Sequence, residues 1–585
     1  MMKFTMKLVA KHSELRSCRI HTRAAMRARA LLCAALCLGS AYARDDDDDD
    51  ESAEAQSYKE FWKLMNMTME EIWGQFGKRE PRFAPPPRQD KIDHFVVLYM
   101  ENHAADHYFG CMGLEGFDGI NGSHAFPLDP ANASKGTVNV SCGAPPYICT
   151  GSPGYATFDG KFGPGGDPHA YPYSPQSDAN SGLHGATTGG VATTMFSPEQ
   201  IPVKRAVAAE FGVFNKLYTA VPSASSPNHL FTQSGTSCGM TTNTLYDSCG
   251  GNTSWFPQDT IYDRLRDHNI SFGLFINSTC GLNGQDPCHG ENQDDPDSAS
   301  AISTPDVAME GVARHKDMFF SQELFYGHAK NGTLPGFSWL HPPIEACDHP
   351  CNDIAKGERL LKDIYEALRA GPGWNRTLFF IVYDDAGGYY DHVVPPFEGV
   401  AADEAPCIVP GTHASCGPAF DFKRLGLRSS AMLISPLVPK GAVFQEPQQG
   451  PFATSQFDLT SILATTKNLF NLSSFLTKRD AWAGSFTELL LDEPRTDAPL
   501  HLPAPPMNVT PWEDVGGSED GAARHCSSPH GAPEEACRAP TDVSRKQAGQ
   551  LKLLAKLTAS EPPEAPDFAE AAAWIQDKWA EWMAA

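Results

Sequence analysis

Positive charge is scarce in this chain: 46 lysines and arginines stand against 71 aspartates and glutamates, a formal net charge of -25 over 585 residues. Part of the excess sits in one run, Asp45 to Asp50 with Glu51, yet removing those seven acids still leaves about -18. Nonspecific binding to nucleic acid, which needs a cationic surface, is therefore not expected. Long apolar runs are also missing. Beyond residue 43 no segment is uniformly apolar for about 18 residues or more, so the mature chain is expected to be soluble and without a transmembrane segment. There is no internal repeat, and no C-x-x-C motif pairs with a second one, which argues against a structural zinc module.

What is present points to the secretory pathway. Residues 1–43 read as a signal or targeting segment: Arg23, Arg27 and Arg29 precede an apolar run from Ala30 to Leu38, followed by the small-residue site Ala41-Tyr42-Ala43. The 25 residues ahead of Met26 have no place in such a signal, and translation is expected to begin at Met26. Of 16 cysteines, Cys18, Cys33 and Cys37 lie in this segment. The others mostly fall in close pairs: Cys142 with Cys149, Cys238 with Cys249, Cys280 with Cys288, Cys347 with Cys351, Cys407 with Cys416, and Cys526 with Cys537. Short-loop disulfides account for that spacing and leave Cys111 over. Sequons at Asn66, Asn121, Asn132, Asn139, Asn252, Asn269, Asn277, Asn331, Asn375, Asn471 and Asn508 agree with a glycoprotein. The expected location is secreted or secretory-pathway lumen, whether extracellular, cell-surface or vacuolar.

Residues 44–90 form an acidic and Pro-rich linker, with a helical-looking stretch from Tyr58 to Phe76 before the proline run that ends at Pro87. The main domain is expected over 91–500. His94 to Met100 and Leu378 to Tyr383 are apolar, β-rich runs of the kind buried on both faces of a parallel sheet. Asp259 to His268, Ala355 to Ala370 and Ser455 to Leu469 read as helices, so the fold class is α/β. Between 110 and 300 the abundance of Gly, Pro, Ser, Asn and Cys predicts long, disulfide-stapled loops. Residues 501–585 form a small helical C-terminal region, with helices over Val543 to Leu557 and Phe568 to Met583. The last helix gathers Phe568, Ala572, Ile575, Trp579 and Trp582 on one face. That face either docks on the main domain or meets a membrane surface through Trp574, Trp579 and Trp582.

Both apolar strands end in polar residues, Glu101-Asn102 after the first and Asp384-Asp385 after the second. Ligands in open α/β sheets bind beyond the carboxyl ends of strands, so these four side chains are expected to share one crevice. Clustered carboxylates repel unless a cation or proton intervenes, which makes a divalent metal ion, of unspecified identity, the natural occupant. The Gly387-Gly388 pair that follows would let backbone approach an anion. The segment Val221 to His229 supplies Ser223, Ser225 and Ser226 as hydroxyls in a turn. His107, His169, His349 and His392 are candidates to protonate a leaving oxygen or bind phosphate.

Taken together, these motifs resemble the phosphoesterase family that contains nonspecific phospholipases C and an acid phosphatase branch. Glu101-Asn102-His103-Ala104-Ala105-Asp106-His107 is similar to the family's E-N-R-S-F-D-H signature, and Tyr383 to His392 to its Y-D-E/D-x-G-G-x-Y-D-H signature. Pro222 to Phe231 resembles P-x-x-T-x-P-N-R-L-F, and Asp348-His349-Pro350 a D-H-P element. Ser455 to Ser461 and Leu476 to Gly484 extend the resemblance, the latter looking closest to the plant-like phospholipases C.

The resemblance implies an alkaline-phosphatase-like fold, a central mixed sheet flanked by helices. It places the nucleophile at Ser225 and the phosphate and metal group at Glu101, Asn102, Asp384 and Asp385. His349 and His392 fall at the edge of that group, with His349 as the expected proton donor, and Asn228, His229, His107 and His392 as phosphate contacts. Three departures stand out: His103-Ala104-Ala105 replaces R-S-F, His229 replaces an arginine, and Leu459 replaces the histidine of a D-H-T-S element. The implied function is a phosphoric ester hydrolase, a nonspecific phospholipase C giving diacylglycerol and a phosphorylated head group through a phosphoseryl intermediate. The alternatives are a secreted acid phosphatase on soluble monoesters and a weakly active secreted protein that binds phospholipid or phosphate.

Overall fold

The computed structural model describes residues 90–127, 134, 136–144, 193–223, 225–240, 256–276, 304–343, 346–349, 353–387, 389–403, 422–506, 545–564 and positions between 566 and 582. Its centre is an eight-stranded sheet. In chain order the strands are β1 (His94–Met100), β2 (Gly212–Phe214), β3 (Phe272–Ile276), β4 (Phe319–Ser321), β5 (Phe337–His341), β6 (Thr377–Tyr383), β7 (Ala431–Ile434) and β8 (Ala442–Phe444), arranged β8-β2-β7-β6-β1-β5-β3-β4. Only β7 runs against its neighbours. The α/β class and the central mixed sheet are as the sequence predicts. Every residue of β1 and β6 is buried, which is why these strands read as unbroken apolar runs instead of alternating ones.

The helices that matter for the site are α1 (Ala105–Phe109), α2 (Pro202–Glu210), α3 (Ser225–Ser234), α4 (Ile261–Asp267), α5 (Thr304–Ala308), α6 (Gln322–Asn331), α7 (Ile354–Ala370) and α8 (Ser461–Leu469). Asp353 caps α7, its side chain accepting from the Ala355 N–H at 2.9 Å. The helix expected from Ser455 starts instead at Ser461. Asp458 Oδ1 accepts from the Thr460 N–H and Ser461 Oγ bonds the Asp458 N–H, local side-chain bonds that compete with helix, so Phe457–Asp458 pairs as a short strand with Leu217–Tyr218.

The cysteine pairing differs from the expected one. Cys142 bonds Cys111, the residue left over, with their Cα atoms 6.1 Å apart. Ser141–Cys142 pairs with Thr194–Met195, and the Phe196 N–H donates to the His107 carbonyl, so tertiary pairing carries Cys142 to the end of α1. Cys238 is disulfide-bonded. Cys347 is a buried thiol where a bond to Cys351 was expected. Cys351 lies outside the described residues, as do Cys149, Cys249 and the other predicted pairs, His169, Gly388 and the whole of 1–89.

Near the C-terminus, Arg545–Thr558 is helical. Ala571, Ile575 and Trp582 are buried, Trp582 lies 6.2 Å from the Phe319 ring, and Trp574 packs against the same core. Of the residues that define this face, Ile575 and Trp582 dock on the domain; Phe568, Ala572 and Trp579 are outside the described residues.

Candidate active site

The register of β1 and β6 pairs Met100 with Tyr383, so the two strands end side by side and the Asp384 N–H donates to the Met100 carbonyl at 3.0 Å. Glu101-Asn102 and Asp384-Asp385 thus leave the sheet together. The Asn102 N–H donates to Asp384 Oδ1 at 2.8 Å, and the Gly387 N–H to Asp385 Oδ1 at 2.6 Å. The glycine expected to admit an anion serves the backbone instead: Gly387 has φ +63°, and a Cβ there would fall 2.0 Å from the Asn102 carbonyl oxygen.

Ser225 opens α3 instead of lying in a loop. Pro227 is tolerated at the start of a helix because its missing N–H belongs to the first turn. From there Ser225 Oγ reaches Asp385 Oδ2 at 3.0 Å, Asn102 Oδ1 at 3.2 Å and Glu101 Oε2 at 3.4 Å. The five residues carried over as nucleophile and metal group are brought together. The helix start also contributes its positive dipole end, which favours an anion beside Ser225.

His229, one turn on, is fully buried among acids. Its Nδ1 lies 3.1 Å from Asp306 Oδ1, and its Nε2 lies 3.2 Å from Glu101 Oε1 and 3.6 Å from Asp384 Oδ2. Burial works to lower its pKa, but Asp306, Asp384 and Glu101 raise it well above 6.5. Burial also pushes Asp385 well above the usual carboxylate range, reinforced by the charge of Asp384; burial works to raise Asp384 as well, but His229, Ser225 and the Asn102 N–H together outweigh it and lower its pKa. The ligand atoms of Glu101, His229 and Asp384 all lie within 4.8 Å of one another, and His229 Nε2 is buried without a hydrogen bond, so these residues fit a divalent cation.

The remaining predicted residues sit elsewhere. Asn228 uses its amide on the loop before Ser225, accepting from the Val221 N–H and donating to the Val221 and Ser223 carbonyls, so it shapes the site instead of facing phosphate. His107 is enclosed by Tyr389, whose ring is 3.8 Å away, and by Phe196; its Nδ1 is 2.7 Å from His103 Nδ1. Burial holds His107 well below 6.5 and His103 at about 3, so neither supplies a cation to a phosphate. His392 belongs to a second cluster with Asp106, Asp391 and Arg428. Its Nδ1 is 2.6 Å from Asp106 Oδ2, and Arg428 binds Asp391 at 2.9 and 3.1 Å and Asp106 at 2.7 Å. The guanidinium already serves as the cation there. His349 is half-buried beside His103, on a loop whose Cys347 carbonyl accepts from the Glu101 N–H at 2.9 Å. Leu459, in place of a histidine, lies in the hydrophobic core.

Several contributing residues were not singled out in the sequence. His341 ends β5, so the strand-end rule that finds Glu101 and Asp384 would have found it too. Asp306 has no such signal. Arg428, a cation three residues before the apolar run Ala431–Ile434, is a buried charge. Arg479 is fully buried and donates to the carbonyls of Ala220, Ala401 and Phe422, fixing the loop that leads to Ser225.

The Phosphoesterase family is matched over residues 92–473. Among named relatives, non-specific phospholipase C1 of Arabidopsis thaliana is 34% identical over 461 residues, covering 74% of this chain and 78% of its own. Non-specific phospholipase C3 of the same plant is 33% identical over 71% of this chain and 76% of its own. Phospholipase C B of Mycobacterium tuberculosis is 24% identical over 72% of this chain and 83% of its own. A solved alkaline phosphatase superfamily protein from Vibrio parahaemolyticus overlays with 10% identity and a TM-score of 0.31 over 74% of this chain and 80% of its own, a likeness too slight to argue from. With two-thirds of its length matched and with relatives a third identical over most of their own, the chain belongs to the phosphoesterase family.

Proposed function

We propose that this phosphoric ester hydrolase acts as a nonspecific phospholipase C, cleaving glycerophospholipids to diacylglycerol and a phosphorylated head group. The observation that carries the reading is Ser225 Oγ at 3.0 Å from Asp385 Oδ2, at the start of a helix and among the strand-end acids. Asp385 Oδ2 accepts the hydroxyl proton as Oγ attacks phosphorus, the Ser225–phosphorus bond forms in line, and the bond to the diacylglycerol oxygen breaks. That oxygen needs a proton, and His349 is the proposed donor because its loop is bonded to Glu101. Water then releases the phosphorylated head group from Ser225. Glu101 and Asp384, the predicted metal residues that fall in the candidate cation group, would hold a divalent ion, which when bound would stabilise charge on the phosphoryl oxygens.

Named relatives that act as phospholipases C support the lipid over a soluble monoester. Ser225→Ala is expected to abolish release of diacylglycerol from phosphatidylcholine vesicles while leaving the thermal unfolding curve in place. Retained turnover would move the nucleophile to Ser226. Phosphate released from a soluble aryl ester with no lipid product would favour the acid phosphatase reading, and silence on both the binding-protein reading.

A membrane contact is proposed at two joined loops. Phe397 and Phe452 are 36% and 58% exposed, and Thr454 Oγ1 donates to the Gly399 carbonyl at 2.8 Å, tying one loop to the other. Exposed aromatic side chains are suited to the boundary of a bilayer from which a lipid must be drawn.

Entry into the secretory pathway is also proposed. The Cys111–Cys142 bond and the bonded Cys238 call for an oxidising compartment. Asn121, Asn139, Asn269, Asn331, Asn375 and Asn471, the sequon asparagines among the described residues, are all exposed. Mobility of the secreted protein before and after glycosidase treatment tests this, and no shift would overturn the glycoprotein reading.

A further inference from the structure

One departure from the family pattern lies at the centre of the site. Where the resembling segment has arginine after P-N, this chain has His229. An arginine brings its own fixed charge to neighbouring carboxylates; an imidazole brings a nitrogen lone pair. Asp306 lies 3.1 Å from His229 Nδ1 and is held in turn by Gln233, while the Tyr99 ring stands edge-on to the imidazole at 4.8 Å. The ring is thus fixed with Nε2 toward Glu101 Oε1 and Asp384 Oδ2, at 3.2 and 3.6 Å. Nε2 makes a hydrogen bond to neither oxygen, and the Asp384 oxygen lies beyond hydrogen-bond reach. A cation takes ligands from several directions at once, so all three atoms can reach it. Donors bound at about 2.0–2.1 Å to a tetrahedral ion lie about 3.4 Å apart, a value between the two observed separations.

We propose that His229 is a metal ligand and that Glu101, Asp384 and His229 Nε2 together hold a borderline transition cation of the zinc class. This rests on reading the site as a metal-assisted phosphoesterase centre. A nitrogen donor moves preference away from calcium and magnesium, which take oxygen ligands, toward zinc, cobalt and their neighbours. Asp306 is the outer carboxylate that orients the imidazole, and a three-ligand set leaves room for a phosphoryl oxygen. His341 Nδ1, 3.5 Å from Asp306 Oδ2, stands behind that carboxylate as a further positioning group.

The test uses the full secreted chain, stripped with chelator and titrated separately with Co2+ and Ca2+, together with His229→Gln, His229→Arg and Asp306→Asn. The expected result is one tightly bound Co2+ per chain with visible absorption bands of a low-coordinate nitrogen-containing site. Affinity should fall by about 100-fold or more in both His229 variants and by about 10- to 100-fold in Asp306→Asn. X-ray absorption of the zinc-loaded wild type should show one imidazole bound, a readout that needs no variant to fold. An all-oxygen shell, or His229→Gln with the affinity and spectrum of the wild type, overturns the proposal. Lipid hydrolysis is measured on the same preparations, so the two readings fail separately. Imidazole ligation without diacylglycerol release would remove the phospholipase reading alone, and diacylglycerol release from a protein with an all-oxygen metal shell would remove this one alone.

Discussion

The carbonyl of Asn102 fills the space that a side chain at Gly387 would need: an added Cβ would lie 2.0 Å from its oxygen, and both residues adopt left-handed backbone, with φ of 65° and 63°. Asn tolerates that conformation better than other side chains, and glycine adopts it freely. This contact joins the two strand ends that carry the three acids and one amide of the site. Gly387→Ala is therefore expected to cost at least about 2 kcal/mol of stability and to lower turnover strongly, because Asp384 and Asp385 shift with the loop. Thermal unfolding and vesicle hydrolysis measure the two effects. Gly122→Ala, with nothing within 4 Å of the added atom, should leave both unchanged.

Arg428 is a second point of fixation. Its Nε donates to both oxygens of Asp391, and its other nitrogens reach Asp106, the Asn215 side chain and the Asp118 carbonyl, all with no exposure of the guanidinium. Lysine keeps the charge but loses the planar set of donors, leaving a buried carboxylate short of partners. Arg428→Lys should destabilise by about 3–5 kcal/mol, read as a lower denaturant midpoint with an unchanged slope. A midpoint equal to that of the wild type would show that the cluster contributes little.

Much of the fold was legible because two strands buried on both faces leave an unmistakable apolar run, and because the residue after each strand end is polar. The same rule placed Glu101, Asn102, Asp384 and Asp385 together correctly. It could not place His107 or His392, since a histidine in a motif looks the same whether it faces solvent, phosphate or an aromatic cage. The disulfide was misread for a related reason: Cys142 reaches Cys111 through pairing of Ser141–Cys142 with Thr194–Met195, a contact 53 residues distant that spacing along the chain does not encode. Ser225 was found as a residue but not as a helix start, because Ser and Pro in succession read as a turn until Asn228 is seen fastening the preceding loop.

The Asp106 cluster should give the protein a pH signature. Burial works to lower the His392 pKa, but the hydrogen bond and charge of Asp106 and the charge of Asp391 raise it from 6.5 to about 8. The folded chain thus holds this proton more tightly than the unfolded one. The resulting stabilisation is complete below about pH 6.5 and is lost as pH rises through about 8. Since the imidazole is partly open to solvent, screening reduces it to the order of 1 kcal/mol. His392→Gln should remove that segment of the dependence of Tm on pH. A slope between pH 6.5 and 8.5 identical in both proteins would assign the effect to another group.

The membrane contact proposed at Phe397 and Phe452 can be tested apart from catalysis, because neither contributes an atom to the Ser225 group. Their loops are joined by the bond from Thr454 Oγ1 to the Gly399 carbonyl, and in the proposed contact both rings enter a bilayer boundary. Replacing both with serine should lower hydrolysis of phosphatidylcholine vesicles by about tenfold, the change expected from losing burial of roughly one aromatic side chain's worth of apolar surface. Hydrolysis of a soluble aryl phosphate ester by the same variant should be unaffected, since Ser225, Asp385 and the strand ends are untouched. Equal losses on both substrates would mean that the loops support the site itself, and no loss on vesicles would place the membrane contact elsewhere on the protein.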